Sequence, residues 1–173
     1  KTNLFEDAWI IAMFDDPSKT KRSVVTFKSS SYGSYSHSHA DQNSFTFVSH
    51  GENMLINAGY YDSYLSAHHA LEGNATFSKN SLTFDGGLGQ WEKSPLTTGV
   101  PQAPVKSRNY SGEFINFYND ESRTMITGDA TNAYRWPTGT GFIVPHLTKA
   151  IRSLGYDRDA GIIIIYDYAS SNT

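Results

Sequence analysis

Apolar residues in this chain come in short runs bounded by Gly, Asn, Asp, Ser and Pro, and few stretches hold a helical period. Residues 8–14 run apolar until Asp15-Asp16-Pro17 stops them, which predicts a strand. The β-branched and aromatic residues at 22–28 predict another. At 45–49, Phe45 and Phe47 alternate with polar neighbours and share one face. His50-Gly51-Glu52-Asn53 reads as a turn, so 54–57 is the return strand of a hairpin. Residues 63–79 are polar and weakly periodic, a long loop with one helical turn; long ordered loops in a compact domain are usually functional. A strand follows at 80–84, closed by Asp85-Gly86-Gly87, and then a surface loop through 87–107. Residues 113–118 and 123–128 form a hairpin around Asn119-Asp120-Glu121, which 130–134 extends. Strands are expected at 146–154 and 161–168, with Asp157-Arg158-Asp159 as the turn between them. The last is an unbroken apolar run and reads as buried on both faces.

About eight short strands at this spacing predict an all-β fold, an antiparallel β-sandwich of stacked sheets. A length of 173 residues suits one domain. Aromatic residues make up 14% of the chain, so Phe and Tyr can fill much of its core. Tyr also suits carbohydrate-facing surfaces, since its ring is apolar and its hydroxyl polar. A net charge of -3 argues against a general nucleic-acid binder. The absence of cysteine excludes a disulfide framework and a thiolate metal site, and leaves the compartment open. No apolar run approaches the roughly 18–20 residues that span a bilayer, and no signal peptide is visible. The chain starts at Lys1 and ends in Ser170-Ser171-Asn172-Thr173 soon after a strand. Residues 1–173 therefore read as a single β-sandwich domain and as a piece of a longer protein.

Candidate chemistry concentrates in Ser36-His37-Ser38-His39-Ala40-Asp41-Gln42-Asn43-Ser44-Phe45, where a small-residue loop enters a strand. In an extended segment His37, His39, Asp41 and Asn43 share one face, each about 6–7 Å from the next. That spacing is awkward for two neighbouring histidines on one small ion, because metal–nitrogen bonds are about 2 Å. A division of labour is easier to build, with one imidazole on a metal or holding the site and the other towards substrate. Imidazole is also the side chain best tuned for proton transfer near neutral pH, and Asp41 is placed to orient one through its second nitrogen. On pattern alone the His-x-His pair serves equally as surface or hydrogen-bonded structure. Asn57, Lys79, Asn80 and the His68-His69 pair read more simply as turn or solvent residues.

Residues 28–45 resemble the central motif of the heparinase II/III-like polysaccharide lyases. Residues 52–61, a strand ending in Ala58-Gly59-Tyr60-Tyr61, fit the next block, and 78–90 fit a third. Thr127-Gly128-Asp129-Ala130-Thr131 with Tyr134 fits a fourth, so the resemblance runs in order through about residues 20–168. It implies a protein that joins an N-terminal (α/α) toroid to C-terminal antiparallel β-sheets. This chain resembles the start of the β part, without the toroid and without the last β-strands, and is expected to be inactive alone. The toroid would supply a catalytic tyrosine and Asn, His and Arg residues for substrate.

The implied reaction is β-elimination at a uronic acid of an acidic polysaccharide or oligosaccharide. A base takes the C5 proton, donors or a cation neutralise the carboxylate, and an acid protonates the leaving O4 to give a 4,5-unsaturated end. By this resemblance His37 faces substrate as base or carboxylate neutraliser, and Gln42, Lys79 and Asn80 bind substrate. His39 matches a ligand of a structural divalent metal, zinc by preference, with Asn57 and His69 as its companions. Two departures stand out. Many relatives carry Asp at the position of Asn57, and His where this chain has Lys79. Asn is a weaker ligand, and a protonated Lys does not bind zinc. Either the metal is lost and Lys79 supplies the positive charge, or His68 or His69 replaces the missing ligand.

The Lys-Asn variant resembles the oligoalginate lyase branch, which tilts the substrate towards alginate. Heparan sulfate or another glycosaminoglycan is the alternative substrate, and a non-catalytic carbohydrate-binding β-sandwich is the alternative function. A metal-dependent cupin would also be a β-sandwich with His-x-His ligands, but it needs a downstream Glu and His pair at cupin spacing that the chain does not offer. The resemblance further implies a periplasmic or secreted protein, with neither nucleic acid nor membrane as partner.

Overall fold

Alternation builds the first layer. In the computed structural model, which describes residues 1–31, 39–60, 62–63, 66–90, 110–137, 143–145 and 147–172, five strands pair antiparallel in chain order. They are β1 (Thr2–Phe5), β2 (Ile10–Phe14), β3 (Val24–Lys28), β4 (Ser44–Ser49) and β5 (Glu52–Leu55). The register sets Ile11 beside Phe27 and Phe27 beside Phe45, with Met13, Val25 and Phe47 in the next row. Residues two apart on a strand point the same way, so these rows make one apolar face.

The second layer comes from the C-terminal half. It contains β6 (Glu113–Asn119), β7 (Arg123–Asp129), a small ribbon of β8 (Arg135–Pro137) with β9 (Ile143–Pro145), then β10 (Lys149–Asp157) and β11 (Ile162–Ser170). The four longer strands pair in the order β11-β10-β7-β6. Ile126, Leu154 and Tyr156 from this sheet meet Ile11, Met13, Val25, Phe27 and Phe45 from the first, and all eight are buried. At about 1.5–3 kcal/mol for each large apolar side chain removed from water, this contact dominates the stability of the sandwich. A second cluster of Ala130, Ala133, Tyr134, Leu147 and Ala150 lies beside it, with Leu82 and Phe84 packed against it. The architecture is thus the expected antiparallel β-sandwich, with no long helix among the described residues.

Several local expectations are corrected. The β4–β5 turn is tighter than expected. His50 and Gly51 both take positive φ (51° and 84°), a geometry whose twist matches a two-residue hairpin, so β5 already begins at Glu52. Residues 80–84 form no strand and contribute only a bridge from Phe84 to Leu88. Their carbonyls are taken by side chains instead of a ladder: Arg152 Nη1 donates to Asn80 O, and the Tyr134 hydroxyl donates to Leu82 O. Residues 130–134 do not prolong the hairpin. Asp129 Oδ1 accepts from Thr131 N at 2.8 Å, and the chain turns into a short 3-10 segment, Thr131–Tyr134. β10 starts at Lys149, later than expected. β11 is buried on one face only. Ile163 and Ile165 pack on the core, while Ile162, Ile164, Tyr166 and Tyr168 are exposed. An unbroken apolar run shows that a strand can be covered on both sides, not that a second layer is there. β1 and the β8–β9 ribbon were not anticipated.

Candidate functional site

The segment that carries the candidate chemistry leaves strand geometry before β4 begins. Ser44 N donates to Asp41 O at 3.2 Å and Asn43 has φ 56°, so the chain turns at 41–44 instead of running extended. The single shared face expected for His39, Asp41 and Asn43 is therefore not formed. Asp41 faces Lys28 of β3, whose Nζ lies 2.5 Å from Oδ1. His37 lies outside the described residues.

What holds this turn comes from the long loop. Ala40 N donates to Asn74 O (2.9 Å), and Thr76 Oγ1 donates to Ala40 O (3.0 Å). One side-chain amide satisfies both backbone groups of Gln42: Gln42 N donates to Gln90 Oε1 (2.8 Å) and Gln90 Nε2 donates to Gln42 O (2.6 Å). Gln90 N in turn donates to Thr76 Oγ1 (2.9 Å). Fully buried backbone groups have to be paired, and here the pairing fixes the position of the turn. The contacts are close. A Cβ on Gly89 would lie 2.4 Å from Thr76 Cβ, so only glycine fits before Gln90.

The second sheet supplies a further anchor. Arg152, buried on the inner face of β10, holds Asp167 of β11 with two parallel bonds, Nε to Oδ1 at 2.7 Å and Nη2 to Oδ2 at 2.8 Å. Its Nη1 reaches across the sandwich to Asn43 O (2.8 Å) and Asn80 O (2.5 Å), and the guanidinium lies over the Phe45 ring. A buried cation is tolerable when paired and fully bonded in this way.

Around that frame the structure gathers some of the expected residues. His39 is half-buried. Burial of its ring, and then the nearby Lys79 ammonium, hold the imidazole below its ordinary value; Lys28 and His69 act in the same direction and Asp41 against it. Lys79 and His69 thus both lie within electrostatic reach of His39. His69 is buried at the start of a one-turn π segment, His69–Gly73, whereas its neighbour His68 turns outward to Glu72 (3.4 Å). Lys79 is 7% exposed, and its Nζ donates to Gly73 O at 2.7 Å. Ala58 N donates to Ser78 O (3.0 Å), which lays Asn57 alongside; Asn57 Oδ1 is buried and accepts no hydrogen bond among the described residues.

The other two expected substrate contacts act inside the fold. Gln42 is buried, with Oε1 accepting from Ser30 N (2.6 Å). Asn80 Nδ2 donates to Phe45 O (2.9 Å). Gln90, Thr76 and Arg152 were missed as site residues. A signal existed for Arg152, which alternates with Ala150 and Leu154 on the inward face of an apolar strand.

Does this donor set suit the zinc that the sequence resemblance implied? Among the described residues no group of three His, Asp, Glu or Cys side chains is placed to hold a metal ion. The expected donors are two imidazoles and a neutral amide, and the Lys79 ammonium near His39 cannot ligate while protonated and repels a divalent ion. Among the described residues the set does not fit.

The family whose model matches residues 8–165 is described as Heparinase II/III-like, C-terminal. The chain belongs to this family. The match takes in β2 to β10, the whole of the pinned segment with Thr76, Lys79 and Gln90, and Arg152. The heparinase II/III-like family is associated with polysaccharide lyases. Among curated proteins none matches the chain.

Proposed function

We propose that this heparinase II/III-like domain forms the β-sheet side of the cleft in a lyase that cleaves uronic-acid polysaccharide by β-elimination, with alginate as substrate. The observation that carries the reading is the family match over residues 8–165, inside which the 39–42 segment is held rigidly by Thr76 and Gln90. Rigid backbone beside the reacting residue is what positioning catalysis requires.

In this reading a base removes the C5 proton, the C4–O4 bond breaks, and the leaving oxygen takes a proton, which leaves a 4,5-double bond. His37 is the substrate-facing group, as base or as neutraliser of the carboxylate. Lys79 and Gln42, being buried, act through the shape of the site; Asn80 ties its edge to β4. The remaining catalytic groups, a tyrosine among them, belong to a helical toroid of the same protein. Alginate is favoured over heparan sulfate because the chain carries 14 Lys and Arg against 17 Asp and Glu, a poor balance for a sulfated ligand. A periplasmic or secreted location goes with such a substrate; no helix of the described residues is long and apolar enough to cross a membrane.

The test is the full-length protein with alginate, heparan sulfate, hyaluronan and chondroitin, followed by the ultraviolet absorbance of the new double bond. Alginate should give the signal and His37→Ala should abolish it; unchanged turnover in that variant sinks the assignment. A second reading, non-catalytic carbohydrate binding, is favoured by one observation: Tyr118, Tyr166 and Tyr168 stand exposed on the outer face of the second sheet. It predicts binding without cleavage, lost on Tyr166→Ala and kept on His37→Ala.

A further inference from the structure

We propose that the Lys79 ammonium is a built-in cation that ties the site together in the way a bound metal would, so that this domain assembles without a divalent ion. Three segments have to be joined at the site: the 39–42 turn, the His69–Gly73 π segment, and residues 78–80. Lys79 belongs to the third and fastens the second, since its Nζ donates to Gly73 O, the last carbonyl of the π segment, at 2.7 Å. A cation at the C-terminal end of a helical turn is well placed, because the carbonyls there are short of donors. The first segment is clipped to the same stretch of loop by Ala40 N to Asn74 O and Thr76 Oγ1 to Ala40 O. The backbone of Lys79 is itself fixed, with its N donating to Thr76 O at 3.0 Å.

Charge points the same way. Lys79 is 7% exposed, so its field is little screened by water. The carboxylate facing this region, Asp41, already sits 2.5 Å from the Lys28 ammonium. Among the described residues no group of three His, Asp, Glu or Cys side chains is placed there to offset the Lys79 charge for an incoming divalent ion. Zinc sites of this kind are assembled from deprotonated thiolates, neutral imidazoles and carboxylates, and none of these roles can be taken by an ammonium. Lysine does part of the work of a metal here: it gathers a carbonyl and holds a positive charge near His39. It does so with one covalent tether and no exchangeable ion.

The inference concerns assembly of the site and is independent of which polysaccharide is cut. Its test therefore reads metal content and melting, not turnover. The full-length protein is produced in zinc-supplemented medium and purified without chelator. Its zinc content by mass spectrometry should be far below one per chain, and its melting temperature should be the same with and without chelator. Lys79→Met should lower the melting temperature by roughly 5 °C. Lys79→His removes the ammonium and adds an imidazole, and should take up close to one zinc per chain with a melting temperature that chelator lowers. One zinc per chain in the wild-type protein, with chelator-sensitive melting, overturns the proposal whether or not either variant folds. So does a Lys79→Met protein that melts with the wild type.

Discussion

Single side chains at this site act mostly on backbone. Gln90 is the clearest case, because one amide satisfies both the N–H and the C=O of Gln42. Gln90→Ala removes the acceptor of Gln42 N, at a cost of about 1–3 kcal/mol, and leaves Gln42 O to the Ser81 hydroxyl at 3.1 Å. We expect a loss of about 1–3 kcal/mol in urea unfolding and, under the lyase reading proposed above, a fall in kcat in the full-length protein, since the turn that precedes β4 loses its fixed position. Gln90→Glu offers an acceptor for Gln42 N but no donor for Gln42 O, and should recover less than half of the loss.

Tyr134 gives a second residue-level prediction, in pH. Burial pushes its phenol from 10.0 up to about 12, the Gln90 amide pulling the other way; the hydroxyl donates to Leu82 O at 2.7 Å. The folded chain keeps a proton that the unfolded chain releases near pH 10, so this contribution is complete below pH 10 and is lost as pH rises towards 12. Chemical unfolding followed between pH 8 and about 12 should show stability falling above pH 10. Tyr134→Phe should lower stability by about 1 kcal/mol at neutral pH and flatten that slope, with a remainder from Tyr110 and Tyr156, whose phenols are also raised by burial.

Elements meet at Arg152. Its guanidinium touches the turn before β4, the 80–84 segment and β11 at once, through Asn43 O, Asn80 O and Asp167. Arg152→Met leaves Asp167 without its bidentate partner and two carbonyls without donors. A loss of about 3–5 kcal/mol in thermal unfolding is expected, the range seen when one member of a buried ion pair is removed. Arg152→Lys keeps the charge but cannot serve two directions with one ammonium, and should fall between. A loss under about 1 kcal/mol for Arg152→Met would show that the two sheets hold the site without it.

The same residue explains what could and could not be read from the chain. Strands such as β3, β4, β6 and β7 were legible because their side chains alternate and their partners are near in sequence. The 80–84 segment looks like a strand by composition, yet its carbonyls bond to Arg152 and Tyr134, which lie 72 and 52 residues away. No local pattern announces such partners. In the candidate site, the sequence resemblance offered His68 or His69 as a companion to His39. One turn of π geometry buries the His69 ring and turns His68 to Glu72, a difference that no local pattern shows.

At the scale of the molecule, the two faces of the second sheet differ in what covers them. Its inner face packs on the first sheet, while its outer face carries a row from Ile164 through Gly155 and Met125 to Tyr118, with Ile162, Tyr166 and Tyr168 beside it. Ile164 alone is 66% exposed. β11 is also an edge strand among the described residues, with one side of its backbone unpaired by any other strand. Contiguous apolar surface next to an open edge is a template for association. The 173-residue chain on its own should therefore self-associate as concentration rises, by sedimentation or light scattering. Ile164→Lys places a charge in the middle of that row without touching the core, so it should shift the chain towards monomer and move stability by no more than about 0.5 kcal/mol. Equal association of both forms would mean that the contact lies elsewhere. A large loss of stability would mean that Ile164 is packed against something in the folded state, and the exposed row would then be an internal surface of a larger β assembly.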